Sequence, residues 1–271
     1  MRWFEDSLTG VMQALKRIAK KFLRQAGFGL WKIDSTETLN FENLLYSLLR
    51  NLETISFIHV GAHDGKSFTD PLYHFVMKNP ERVSGVMVEP VKETYTKLVA
   101  NIGHVDSVQL LNVAIHPTLQ NVTIYKFSPV DKAFAFNASG LASTDKNRFD
   151  ALMIKGDENS IHKEEVSAIT MAECLNYLQA SPTGVDVICI DTEGLDFELI
   201  RSLDFDKIKP YIIRFEHNLC TLTEPDHLQN YASLVELLNK NQYQVFTEHN
   251  DAVAVSNRLI PLIVLLTEDH G

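Results

Sequence analysis

Short apolar runs rich in β-branched residues alternate with stretches of helical period along most of this chain, and that alternation constrains its fold more than any other feature. Residues 55–60, 83–88, 108–113, 185–190 and 211–215 read as strands, and 71–78, 91–101, 195–203 and 226–241 as helices. Near-continuous apolar strands belong in a parallel sheet covered on both faces. Strand, helix, strand repetition predicts an α/β fold with a doubly wound, Rossmann-like sheet that binds ligands at the carboxyl ends of its strands. After the last helix, 243–247 and 252–255 read as strands joined by the turn 248–251, a C-terminal antiparallel hairpin on a mostly parallel sheet. At 271 residues the chain has room for one such domain, over 51–271, behind an N-terminal helical extension over 1–50.

Within that extension Met12, Leu15, Ala19, Phe22, Leu23 and Ala26 fall on one helical face, and Lys16, Arg17, Lys20, Lys21 and Arg24 fall largely off it. Such a basic amphipathic helix packs on its own domain, packs between subunits of a homo-oligomer, or makes a peripheral membrane contact through residues 1–32. The first 32 residues hold seven cations against Glu5 and Asp6, a net +5, which leaves −15 on the rest of a chain whose formal charge is −10. An acidic body repels phosphate backbones, so nucleic acid is not an expected partner.

Cys174, Cys189 and Cys220 are odd in number and lack metal-ligand spacing, which suggests neither a disulfide framework nor a zinc site and fits a reducing, cytoplasmic setting. No unbroken apolar signal segment opens the sequence, so the sequons at Asn121 and Asn137 read as chance. The apolar run 259–266 contains Pro261 and is too short to span a bilayer as a helix; it reads as a buried strand. Residues 128–162 break the rhythm. Polar, with Gly140 and Gly156 and no firm period, they read as an excursion above the sheet, either a lid or binding loop or a plain surface insertion.

The most informative run is Phe57-Ile58-His59-Val60-Gly61-Ala62-His63-Asp64-Gly65-Lys66-Ser67, a buried strand that opens into a glycine turn. Gly61 and Gly65 permit unusual dihedrals and a close backbone approach, and backbone N–H groups ahead of the next helix can meet a ligand's polar groups. The second strand ends in Val88-Glu89-Pro90. A carboxylate beside the first loop can accept both hydroxyls of an adenosine ribose. His63 fills the second glycine position of the dinucleotide fingerprint, which argues against a nicotinamide-dependent oxidoreductase. The fourth strand ends in Ile190-Asp191-Thr192-Glu193-Gly194 and the fifth in Glu216-His217-Asn218, so carboxylates leave apolar strands at the ligand edge, a place that can raise a carboxylate's pKa or put it beside substrate.

Together with Leu111-Asn112-Val113-Ala114, these runs resemble the FkbM family of S-adenosylmethionine-dependent methyltransferases, in the same order from about residue 55 to 255. The resemblance implies a class I methyltransferase fold and, for most members, O-methylation of a sugar, glycan or polyketide-type hydroxyl. It implies that Gly61, Ala62, His63, Asp64 and Gly65 contact the methionine part of the cofactor and that Glu89 holds the ribose, with Pro90 beside it also at the cofactor. Asn112 and Ala114 would flank the adenine, and Asp191, Glu193 and Glu216 would line the methyl-transfer site, with Asp191 also touching the cofactor. His59 stands where such enzymes usually carry an acidic residue. A base that takes the acceptor's proton speeds such a transfer, and Asp191 ranks ahead of His217 for that role. A magnesium or calcium ion on Asp191, Glu216 and Asn218 is a further expectation. Competing readings are an N-methyltransferase acting on an amine or peptide, and a non-catalytic docking module that uses the basic helix.

Overall fold

The computed structural model describes residues 39–67, 70–127, 142–144, 161–178, 184–217 and 225–259. The chain divides into two compact units, Met1–Leu39 and Asn40–Gly271, and every described helix and strand lies in the second. The basic N-terminal helix and the strand expected at 259–266 fall outside the described residues, apart from Leu259 itself. Helix α1 (Phe41–Asn51) opens the second unit, ahead of the boundary that the sequence puts at residue 51. Asn40 caps it by accepting the Asn43 N–H at 2.8 Å. Phe41, Leu44, Leu45, Leu48 and Leu49 recur at helical spacing and form its buried stripe.

From α1 the chain runs β1 (Ile55–Val60), α2 (Pro71–Lys78), β2 (Val83–Val88), α3 (Lys92–Ile102), β3 (Val108–Leu111), β4 (Ala114–Ile115), β5 (Asn121–Phe127) and β6 (Ala142–Ser143). It continues through β7 (Ile161–Ile169), α4 (Met171–Leu175), β8 (Val187–Ile190), α5 (Asp196–Arg201), β9 (Ile212–Glu216), α6 (Pro225–Lys240), β10 (Tyr243–Glu248) and β11 (Asp251–Ser256). The main sheet has the order β10-β11-β9-β8-β1-β2-β3. Five central strands are parallel and the closing hairpin β10–β11 is antiparallel, as the sequence predicts. Strands β1 to β3 step outward in one direction, and the chain then returns to lay β8 on the opposite flank of β1. That reversal puts the topological switch point between β1 and β8, where a doubly wound sheet binds its ligand.

One face of the sheet packs Ile58, Val60, Val86, Val88, Ile188, Ile190, Ile213 and Phe215 against Leu199 and Ile200 of α5 and Leu234 and Leu238 of α6. Across the other face His59, Cys189 and Arg214 are register neighbours. Phe41 of α1 lies 5.3 Å from the Arg214 guanidinium, and Asp70, at the start of α2, lies beside His59.

A second, four-stranded sheet of order β4-β7-β5-β6 was not legible in the sequence. The expected strand over 108–113 stops at Leu111, because the chain leaves the main sheet there and Ala114–Ile115 pairs with β7 instead. Strand β7 carries His162, Lys163, Glu164 and Glu165 in succession, which hides its period of two; β5 pairs with it from Asn121↔Ser167 to Phe127↔Ile161. Val122, Ile124 and Ala168 of this sheet join Val91 and Ala114 in a small apolar cluster. The excursion expected at 128–162 therefore leaves after Phe127 and rejoins at Ile161, two residues paired at one end of the β5–β7 ladder. Its residues 128–141 and 145–160 lie outside the described residues.

Candidate active site

β1 leaves the sheet at Gly61 (φ 77) and the turn closes at Gly65 (φ 72), both in the left-handed region that favours glycine. The absent side chains make room for protein. A Cβ at position 61 would stand 1.7 Å from the Asp191 backbone oxygen, and one at position 65 would stand 2.7 Å from Leu98 Cδ1 of α3. Asp64 staples the same turn: Oδ1 accepts the N–H groups of Lys66 and Ser67, and Oδ2 accepts the Ser67 hydroxyl. Burial works to raise the Asp64 carboxyl, but these hydrogen bonds outweigh it and hold the group at about 2. Ala62 is buried, and His63, itself at φ 50, donates its N–H to Glu89 Oε2 at 3.0 Å.

Glu89 Oε1 accepts the Val91 N–H at 2.9 Å, so two backbone amides orient one carboxylate that is only 6% exposed. Desolvation pushes it up to about 7; the two amides pull the other way, and Glu164 and Asp64 add repulsion. Each of its oxygens keeps a second lone pair, so the carboxylate offers two preset acceptors to a vicinal diol. Asn112 donates its amide to the carbonyls of Glu89 and Pro90, both at 2.9 Å, and so clamps the exit of β2. Ala114 lies in β4 with its methyl in the small apolar cluster.

Carrying the sheet register one residue past the strands aligns Glu89, Gly61, Asp191 and Glu216, with Asp251 paired to Glu216 and Glu248 to Asp251. The result is a row of carboxylates interrupted only at Gly61. Carboxylate oxygens of Asp191, Glu193 and Glu216 lie within 4.8 Å of one another, which among the described residues makes this the cluster able to hold a metal ion. Asp191 is exposed at the end of β8, with protein packed closely around its carboxyl. That crowding, and then the charges of Glu193, Glu216, Asp196 and Asp251, push its carboxyl well above the ordinary value. Glu193 sits at φ 54, beside Gly194 at φ 135, and its carbonyl accepts the Ser143 hydroxyl of β6 at 2.7 Å.

Of the residues expected from the sequence, the structure brings together Gly61, Glu89, Asp191, Glu193 and Glu216. His217 is buried with its ring 5.8 Å from that of Tyr231 on α6. Burial lowers its pKa and favours the neutral ring. Asn218, expected as a metal ligand, lies outside the described residues.

Asp196 escaped the sequence reading. Only 3% exposed, it accepts the Thr192 hydroxyl at 2.8 Å and the Glu216 N–H at 3.2 Å, and so ties the ends of β8 and β9 together. A second aspartate five residues after Asp191 was a visible signal. Asp251 also escaped; it pairs with Arg214 at 2.5 Å and is within the hairpin that the sequence showed only as a closing element.

A parallel sheet with this switch point, a glycine turn, an amide-oriented carboxylate at the next strand end and an acidic edge beyond defines a class I S-adenosylmethionine-dependent methyltransferase. The chain belongs to the FkbM methyltransferase family: the model of the methyltransferase FkbM domain matches residues 59–245. The nicotinamide oxidoreductase reading gives way to that match. No curated protein sequence matches the chain. Among solved structures, precorrin-6y C5,15-methyltransferase from Geobacter metallireducens is 12% identical with a TM-score of 0.38, covering 82% of this chain and 91% of its own. The human methyltransferase 10 domain containing protein is 12% identical with a TM-score of 0.37, covering 90% and 95%. Methanococcus jannaschii fibrillarin, a pre-rRNA processing protein, is 9% identical with a TM-score of 0.38, covering 75% and 67%. Neither acceptor nor mechanism carries over at that level.

Proposed function

We propose that this methyltransferase delivers its methyl group to a hydroxyl of a sugar, glycan or polyketide-type product. Bound S-adenosylmethionine supplies an electrophilic methyl group on a sulfonium. The protein's part is to hold the acceptor in line with it and to take the hydroxyl proton, and positioning alone supplies several kcal/mol of such a barrier. The observation behind the reading is the convergence of Asp191, Glu193 and Glu216 oxygens within 4.8 Å. Crowding and like charge raise the Asp191 carboxyl, and a carboxylate with a raised pKa is the stronger base once ionised. Its carboxylate neighbours can accept hydrogen bonds from adjacent hydroxyls of a polyol. Glu89 holds the ribose through the two oxygens that His63 and Val91 orient.

The test is a screen with labelled S-adenosylmethionine over glycosides, polyketide alcohols and lipid-linked sugars, with amines and peptides alongside and Asp191→Asn as control. Methylation of a hydroxyl acceptor that falls by about 10² or more in Asp191→Asn supports the reading. Transfer confined to nitrogen acceptors overturns it.

The same carboxylate convergence favours a second reading, in which magnesium or calcium on Asp191, Glu193 and Glu216 lowers the pKa of the acceptor hydroxyl. Turnover lost to a chelator and restored by magnesium supports it; unchanged turnover removes it. We further propose a small-molecule or glycan acceptor in a cytoplasmic setting, since the acidic body disfavours nucleic acid. No described helix is long and apolar enough to cross a membrane. We also propose a peripheral membrane contact through the basic first 32 residues, which sedimentation of the full chain with anionic vesicles supports and failure to sediment removes.

A further inference from the structure

On the face of the sheet that carries the carboxylate row, His59 lies two residues before Gly61, directly behind the gap in that row. Its ring is 5% exposed, and its Nδ1 has no hydrogen-bond partner among the described residues. Burial lowers its pKa, with Asp70 opposing and Arg214 adding to the effect, so the ring is neutral. Orphaned buried nitrogens are rare enough to call for a reason. The nearest carboxylate is Asp70, whose Oδ2 stands 3.6 Å away, beyond a proper hydrogen bond. Asp70 caps α2 with its other oxygen, Oδ1, which accepts the Leu72 N–H at 2.9 Å. Oδ2 accepts no hydrogen bond among the described residues. A buried imidazole nitrogen and a half-buried carboxylate oxygen thus sit side by side, each short of a partner, behind the gap at Gly61.

We propose that Asp70 is the anion that receives the α-ammonium group of the methyl donor, with the His59 imidazole packed behind it. This rests on the methyltransferase reading of the site. The donor's methionine part carries a cation that an anionic acceptor stabilises, and the other carboxylates around the turn are committed. Asp64 is fastened to Lys66 and Ser67, and Glu89 is aimed by His63 and Val91. Asp191 belongs to the convergent trio. Arg214 pairs directly with Asp251, and Asp70 acts on it only as a further, weaker charge. His59 occupies the strand position in a neutral form and leaves the charge to the helix that follows.

The test uses binding, not turnover. Asp70→Asn removes the charge but keeps a side-chain oxygen to cap α2, since asparagine caps as well as aspartate. Affinities of wild type and variant are measured by calorimetry for S-adenosylhomocysteine and for its desamino analogue, which keeps the carboxylate and lacks the ammonium. The wild type should prefer S-adenosylhomocysteine by about 10- to 100-fold, the worth of a charged hydrogen bond, and Asp70→Asn should bind the two ligands alike. A wild type without that preference, or a variant that keeps it while weakening on both ligands, overturns the assignment. Failure of the wild type to bind S-adenosylhomocysteine at all would instead count against the cofactor site itself.

Discussion

The backbone carbonyl of Asp191 occupies the space that a side chain at position 61 would need, so a Cβ there would stand 1.7 Å from that oxygen. The obstacle is backbone at the core of a parallel sheet, and Gly61 also has a positive φ. Gly61→Ala should cost roughly 4 kcal/mol or more, by forcing β1 and β8 apart. Gly65→Ala meets the end of the Leu98 side chain, which can shift, and should cost less, about 1 to 2 kcal/mol from the positive φ. Urea denaturation of the two variants checks the order.

Glu89 titrates near 7 because it is buried. In the proposed ribose role, hydroxyls would donate to its ionised form, so a cofactor-bound state would favour proton release. Affinity for S-adenosylhomocysteine should therefore fall as pH drops from 8 to 6, by at most about tenfold per unit. Glu89→Gln should bind more weakly and show a flatter profile. Calorimetry across that range is the measurement, and a wild type without pH dependence would remove the ribose role.

Burial raises Asp196 to about 6, against the hydrogen bonds from Thr192, Glu216 and Gly194. The native state holds this proton more tightly than the unfolded chain, whose carboxyl titrates near 3.8. Between those values the native state binds more protons, so this group's contribution to stability declines as pH rises from about 4 to 6. Asp196→Asn should remove that slope. It should also lower stability at pH 7 by about 1 to 3 kcal/mol, since an amide nitrogen cannot accept the N–H or hydroxyl that the lost oxygen held. Denaturation of both proteins at pH 4.5 and 7 gives the comparison.

Cys174 and Cys189 are buried, and desolvation pushes the Cys174 thiol up to about 12 and Cys189 higher still. Neither supplies thiolate near neutral pH, so both should resist alkylation in the native protein and react once it is unfolded. Peptide mapping after iodoacetamide treatment reads this directly.

The main sheet was legible because its strands are apolar on both sides and end in punctuated turns: Gly61 after β1, Glu89-Pro90 after β2, Asp191 after β8. The hairpin β10–β11 was legible as two short strand runs on either side of the turn 248–251. The second sheet was not, because four of the first five residues of β7 are polar or charged and its register is defined by β5, some forty residues away. Of the candidate site, the carboxylates at strand ends announced themselves by leaving apolar runs. Asp196 and Asp251 did not, since each acts through a partner on another strand, Glu216 and Arg214.

Sequence by itself determined the class of fold and the edge at which the candidate site lies, because apolar period and glycine placement are local properties that a parallel sheet converts directly into position. Only tertiary structure decided what the residues at that edge do. It showed that Gly61 makes room for the Asp191 carbonyl and that Asp64 staples its own turn. It also set Asp70, eleven residues beyond His59, against that imidazole. Those relationships depend on distances between elements far apart in the chain, and packing of the sheet against its helices sets them.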